Sequence, residues 1–279
     1  MKLYYENSIG RVDFGFGDGE INVLALDGFG PVNAQYKTWS YYGRDGEYTT
    51  DEHVSSRCIS ISCDMCGSNM RVSKILSVLS SPGWLHACFG EKNRRIFCRR
   101  TAVSEPSRFG KYIRCVFQLT ADMPYFEDTA ARNENVYHII KLIGPSFKLP
   151  AMLGRFVTET TIMNSGDRKC EPVIYIINNK VLNCGSAGFG IEIRNKTNGS
   201  FLKLNTNTQP GEIITVDIPN RRIESNKKGN MLFCISDDTY LNSFVLEKGM
   251  NELSVINRNT NEKITVATEF SPRFAEAVY

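Results

Sequence analysis

Between Pro172 and Arg258 the chain is a ladder of short β-type runs punctuated by turn residues, and this ladder limits the fold more than any other feature. Pro172-Val-Ile-Tyr-Ile-Ile177 stops at Asn178-Asn179. Ile191-Glu-Ile-Arg194 breaks at Asn198-Gly199, and Phe201-Leu-Lys-Leu204 resumes. Gln209-Pro-Gly-Glu212 then leads into Ile213-Ile-Thr-Val-Asp-Ile218. Apolar and polar residues alternate within several runs, the mark of strands with one buried and one wet face. Repeated turn signals without a helical period predict an antiparallel sandwich. The ladder holds almost no residues of catalytic type, which points away from an enzyme.

The chain has 279 residues, enough for one large or two ordinary domains, each with its own core. A net charge of +3 is too small to imply a nucleic-acid partner. Basic groups cluster only in short solvated pairs such as Arg99-Arg100 and Arg221-Arg222, without interleaved aromatics. No run of about 18 apolar residues predicts a membrane helix. The opening Met1-Lys2-Leu3-Tyr4-Tyr5-Glu6 lacks an apolar leader core, so synthesis in a cytosol is expected. Asn195-Lys-Thr197 and Asn198-Gly-Ser200 fit the glycosylation sequon but read more simply as turns.

Residues 1–30 read as two short strands around a glycine-rich turn containing Gly15, Gly17 and Gly19. No Lys-Ser/Thr and no helix opening follow, so this is not a phosphate loop. Residues 31–57 read as a loop-like polar-aromatic arm with a turn at Asp45-Gly46. One helix is predicted from about Met70 to Leu79, because Val72, Ile75, Leu76 and Leu79 share a face. Ser68 or Asn69 can cap it, and Ser80-Ser-Pro-Gly83 ends it. Strands are predicted at Cys58-Ile-Ser-Ile-Ser-Cys63, around Trp84 to Phe89, at Arg95-Ile-Phe-Cys-Arg99 and around Tyr112 to Leu119. The stretch from Met123 to Pro150 reads as an apolar, proline-interrupted connection between domains, giving domains 1–149 and 150–279.

Nine cysteines at irregular spacing argue against a secreted disulfide framework. Cys98, Cys115, Cys170, Cys184 and Cys234 lie in or beside β-type runs and read as small apolar residues. Cys63-Asp-Met-Cys66 is the sharpest metal-like motif, because a CxxC knuckle supplies two zinc thiolates. It lacks a matching second knuckle: His86 and Cys88 share a strand spacing, and Cys58 and Cys63 point to opposite faces. No cofactor is expected. His53, His86 and His138 are scattered, and Asp122, Glu127 and Asp128 flank a turn without visible convergence. Glu192, Arg194 and Asn195, with a ring from Tyr240 or Phe244, form a candidate sugar-binding face. The same alternation is also what any wet sheet face looks like.

In order and spacing these landmarks resemble the distal tail proteins of long-tailed bacteriophages. The resemblance rests on the early hairpin, Gly43-Arg-Asp-Gly46 in the arm, the single helix, and the strand near Arg94-Arg-Ile-Phe-Cys-Arg99. It continues through Asp122-Met-Pro-Tyr-Phe126, where Met123 is inserted relative to the family's Asp-Pro-aromatic-aromatic turn. Asn195-Lys-Thr-Asn-Gly199, Pro210-Gly-Glu-Ile-Ile-Thr-Val-Asp217, the "Leu-x-x-Gly-x-Asn" turn ending at Asn251 and the final Ser271-Pro-Arg-Phe274 complete it.

The resemblance implies a mainly β protein of two sandwich domains. The first carries one helix and a long arm, and the second is galectin-like. It implies a non-enzymatic virion component at the tail tip, a homohexameric ring joining the tail-tube protein to the tail-tip hub. The second domains would then point outward toward receptor-binding or baseplate proteins. Tyr36, Trp39, Tyr41, Tyr42 and Tyr48 of the arm suit an intersubunit contact, since large aromatics dominate buried interfaces. They can alternatively pack under their own sheet. A free carbohydrate- or cell-wall-binding lectin-like protein is the alternative reading.

Overall fold

The computed structural model describes residues 2–16, 21–66, 69–141, 154–181, 190–258 and 262–277. The chain divides into two compact units: Met1–Thr129 with Arg273–Tyr279, and Ala130–Pro272.

Unit 1 contains β1 (Lys2–Glu6), β2 (Arg11–Phe14), β3 (Ile21–Asp27), β4 (Ala34–Trp39), β5 (Tyr48–Val54) and β6 (Arg57–Cys66). The helix α1 (Asn69–Ser80) follows, then β7 (Gly83–Phe89), β8 (Lys92–Val103), β9 (Ser107–Phe109), β10 (Tyr112–Ala121) and β11 (Phe126–Asp128). The main path runs β2-β1-β7-β8-β10-β6-β3. The long β8 makes it two-layered. Its first half pairs with β7, from Phe89↔Lys92 to Gly83↔Cys98. Its second half pairs with β10, from Thr120↔Arg99 to Phe117↔Val103. One strand therefore belongs to both layers.

The core follows from period-two alternation. Arg57, Ile59, Ile61, Cys63 and Met65 are the inward residues of β6, and Leu85, Ile96, Phe117 and Leu119 meet them from the neighbouring strands. Each fully buried large apolar side chain among them contributes about 1.5–3 kcal/mol. The helix packs on this core through Val72, Val78 and Leu79, with Ile75 and Leu76 half-buried, close to the expected stripe. The hydroxyl of the fully buried Tyr5 donates to the carbonyl of Ser81 at 2.6 Å, fastening the strand to the end of the helix.

Unit 2 contains β12 (Arg132–Lys141), β13 (Gly154–Val157), β14 (Glu159–Asn164), β15 (Val173–Val181), β16 (Ile191–Asn195) and β17 (Phe201–Leu204). It continues with β18 (Ile213–Asp217), β19 (Arg222–Ser225), β20 (Gly229–Asn230), β21 (Gly249–Asn257) and β22 (Glu262–Phe270). Two antiparallel sheets, β13-β12-β22-β15-β18-β19-β20 and β14-β21-β16-β17, face each other across one core. Ile174, Ile176, Ile214, Val216 and Val266 come from the first sheet, and Ile162, Ile191, Ile193, Leu202 and Leu253 from the second. This is the sandwich the strand ladder predicts.

Two expectations change in detail. The stretch after Met123 is not an irregular connection. It forms β11, which pairs with β8 in unit 1, and β12, which pairs with β22 in unit 2. Burying Val136 and Tyr137 is the reason: residues that look too apolar for a linker are strand residues of a core. The chain thus crosses from unit 1 at Thr129, ahead of the expected 149/150 boundary, which itself lies outside the described residues. It returns at Arg273, where β23 (Arg273–Phe274) pairs with β11. The final aromatic strand therefore belongs to unit 1, and unit 2 is an insertion between two paired strands of unit 1.

Candidate functional site

The arm is not a loop. β4 and β5 form their own two-stranded antiparallel sheet, from Ala34↔Val54 to Trp39↔Tyr48, with a turn between them. Gly43 and Gly46 both take positive φ in that turn, a conformation that favours glycine. The rings do not pack under their own sheet. Tyr36, Trp39, Tyr41 and Tyr48 are each more than half exposed, and Tyr42 is fully exposed. Tyr41 and Tyr48 meet edge to face at 5.7 Å, and that is the ring contact inside the hairpin.

The arm's base is fixed. Gly28 has φ +85°, and a Cβ there would sit 2.2 Å from the carbonyl oxygen of Cys58, so the chain leaves β3 hard against β6. The buried Arg57 guanidinium donates to the carbonyls of Gly28 at 2.5 Å and Gly30 at 2.7 Å. It also donates to the carbonyls of Pro124 at 2.6 Å and Ala275, and lies 4.9 Å from the Phe126 ring. Burial away from water pulls its pKa down to about 10. Four carbonyl acceptors stand in for the lost hydration. The aromatic-proline turn before Phe126 thus has a physical role, since it supplies one wall of this guanidinium socket.

The second candidate face lies on unit 2. Glu192 and Arg194 share one side of β16, and the Arg194 guanidinium donates to Glu192 Oε1 at 2.7 Å. Arg258 donates to Glu192 Oε2 at 3.2 Å from the end of β21. The carboxylate is buried between two half-exposed arginines. Lys196 extends the row, pairing with Glu159 at 2.7 Å and Glu252 at 3.1 Å, and both contacts hold its pKa above the usual lysine value. Glu192, Arg194, Arg258, Lys196 and Glu159 line a shallow groove of about 610 Å³ that also includes Tyr137 and Ser254. Arg258, Lys196 and Glu159 were missed from sequence because strand pairing, not spacing, brings Arg258 to Glu192 and Glu159 to Lys196.

Asn195 does not join this face. It points the other way and is fully buried, donating to the Val245 carbonyl at 2.9 Å and to Asn251 Oδ1 at 3.0 Å. One residue beyond Arg194, it lands on the opposite side of the pleat. Phe244 is likewise buried in the core and cannot serve as a platform, whereas Tyr240 is exposed.

The CxxC pair is divided in the same way. Cys63 is buried and faces Cys115 across the strand pair at 3.8 Å, while Cys66 lies on the other face, half-buried. The neighbouring sulfur and burial push the Cys63 thiol up. No three His, Cys, Asp or Glu side chains are grouped to hold a metal ion among the described residues. Cys98, Cys115, Cys170 and Cys234 are buried, as small apolar residues would be, and Cys184 lies outside the described residues.

Residues 166–274 match the family described as siphovirus-type tail component, C-terminal domain. The matched stretch lies almost wholly in unit 2. The match begins after β14 and runs through β22 to the returning β23. Over 91% of this chain and 94% of the other, the fold is similar to the Dit protein of phage SPP1, at a TM-score of 0.66 and 12% identity. That protein is described as a paradigm of the hub adsorption apparatus in phages infecting Gram-positive bacteria. Chains of the phage P2 baseplate in its activated conformation, with Ca and with Sr, align at TM-scores of 0.48 with 12% and 14% identity. Each of these alignments covers 96% of this chain and 97% of the other. No curated protein matches the chain. The resemblance to distal tail proteins is thus met by a family match over residues 166–274 and by a similar fold across most of the chain.

Proposed function

We propose that this protein is the distal tail protein of a phage tail or phage-derived tail-like particle, and that it works by assembly rather than catalysis. Six copies close into a ring that joins the tail tube to the tail-tip hub, with unit 2 available to baseplate or receptor-binding proteins. The observation that carries this reading is the β4–β5 hairpin. It presents Tyr36, Trp39, Tyr41, Tyr42 and Tyr48 to solvent on a stem whose base is held by Arg57. A lone soluble chain gains nothing from so large an exposed aromatic patch, whereas a neighbouring subunit that covers it gains the burial. A ring needs such heterologous contacts, in which one surface of a copy meets a different surface of the next. The match of residues 166–274 to a tail-component family and the Dit-like fold of the chain support the same assignment.

The test is sizing by light scattering at micromolar concentration, with electron microscopy of the main species. The intact chain is expected as a hexameric ring. Deleting residues 38–48 is expected to leave both cores folded and yield a monomer. A hexamer surviving that deletion would remove the arm from the interface, and a stable monomer of the intact chain would overturn the ring. The second outcome would favour a free lectin-like protein.

A further inference from the structure

A second groove of unit 2, of about 570 Å³, lies apart from the Glu192 face, between the 195–200 turn and the 238–247 segment. Tyr240 stands at its edge with two-thirds of its surface exposed. Around the ring are Asn198, Asn242, Asp238, Glu247 and Lys169. Among the described residues the Tyr240 hydroxyl, the Asn242 amide and the Lys169 ammonium make no hydrogen bond.

The frame behind these free groups is fixed. Asn198 Nδ2 donates to the Val245 carbonyl at 3.0 Å, and its Oδ1 accepts from the Ser200 amide and hydroxyl. Asn195 holds the same Val245 carbonyl from the inside at 2.9 Å. The buried Thr239 hydroxyl accepts from the Lys203 amide at 3.2 Å, fixing the residue before Tyr240. Free polar tips on a pre-set backbone bind with less ordering cost than groups on a mobile loop.

We propose that this groove binds a neutral saccharide. The exposed tyrosine face suits the aliphatic C–H face of a pyranose ring. An amide and two carboxylates beside it can take the adjacent hydroxyls, which need both donors and acceptors. Charge does not favour an anionic polymer, because the groove sets two carboxylates beside Lys169 and the nearby Lys203 and holds no cluster of cations. The Asp238 carboxyl is held below its ordinary pKa by the Ser236 hydroxyl, so it stays ionised at neutral pH. A shallow groove with one ring sets the affinity scale at a Kd on the order of 1 mM. The inference does not depend on ring assembly, since the groove is built within one copy of unit 2.

The experiment is isothermal titration calorimetry of the full chain with lactose, maltose, chitobiose and a rhamnose disaccharide, with poly(glycerol phosphate) as the anionic comparison. At least one neutral sugar is expected to bind. Tyr240→Ala is expected to weaken it at least tenfold (~1.4 kcal/mol), Asn242→Ala less, and Tyr240→Phe least of all because the ring remains. Phe233→Ala removes another exposed ring outside the groove and is expected to leave binding unchanged. Thermal melts of each variant check that the fold is intact, as expected for exposed positions. Binding that survives Tyr240→Ala, a preference for the polyphosphate, or no heat with any of the four sugars would each overturn the proposal.

Discussion

Among the described residues, the buried polar side chains of unit 1 are two arginines, Arg57 and Arg94, while those of unit 2 are amides, hydroxyls and two glutamates. The difference is one of reach. A guanidinium on a long stem carries five donors in a fork, so it can satisfy backbone carbonyls far apart in sequence. Arg57 joins the arm's base, the Pro124 turn and the returning tail at Ala275. Arg94 donates to the Glu276 carbonyl and lies 3.7 Å from the Phe274 ring. Unit 1 must recapture a chain end that leaves it at Thr129 and comes back at Arg273. Unit 2 is continuous and closes its turns locally. Asn251 accepts from the Glu247 amide at 2.8 Å and donates to the Glu247 and Gly249 carbonyls, while Gly249 takes φ +89°. This is the physical content of the "Leu-x-x-Gly-x-Asn" turn.

The largest effect is expected at Arg57. Arg57→Ala leaves four carbonyls without their shared donor and is expected to cost about 3–5 kcal/mol. Both tryptophans, Trp39 and Trp84, lie in unit 1, so tryptophan fluorescence during denaturation reports that unit. Its midpoint is expected to fall while hydrogen exchange of β15 and β22 in unit 2 holds. An equal loss of protection in both units would show that the two do not rely on separate locks.

Asn251→Ala is expected to act the other way round, lowering the protection of β14, β16 and β21 by about 2–3 kcal/mol, since Asn195 and the Glu247 amide lose a partner. Unaltered tryptophan fluorescence in unit 1 should accompany it. The smallest effect is expected from Glu212, a fully buried carboxylate. Burial alone would raise its pKa, but bonds from the Ser225 hydroxyl, the Gln209 amide and Lys228 outweigh that and hold it below the ordinary 4.5. A carboxyl depressed in the folded state stabilises the fold above its unfolded pKa, and that contribution disappears as pH falls through the folded value. Unit 2 should therefore weaken below about pH 4.5, by about 1.4 kcal/mol for each unit of depression. Glu212→Gln should be less stable at neutral pH and flatter in acid. An acid limb as steep as that of the parent would take Glu212 out of the account.

Much of the fold is readable from alternation. The strands at Cys58 to Cys63, Tyr112 to Leu119 and Val173 to Ile177 have one wet and one dry face, and their period-two pattern records it. The helix is readable for the same reason at period 3.6. The arm's strands are not, because both faces of the hairpin are exposed and no dry face imposes a pattern. β12 is missed for a related reason: Met123 to Pro150 is apolar but broken by prolines, which resembles a packed connection more than a strand. At the candidate face, the Glu192–Arg194 pair is visible as neighbours two apart. Arg258 reaches Glu192, and Lys196 reaches Glu252, only once β21 is set beside β16.

The sandwich of unit 2, the helix α1 and an arm rich in aromatics are all legible in the amino-acid sequence. Each is a local property, written in period, turn chemistry or composition. Only the tertiary structure decided that the last strand returns to unit 1, that Arg57 fastens the arm's base to that returning tail, and that Asn195 is a buried lock while Tyr240 stands free beside a groove. These depend on which strands pair and which way a single residue faces. A shift of one position along a strand reverses that facing, and composition carries no record of it.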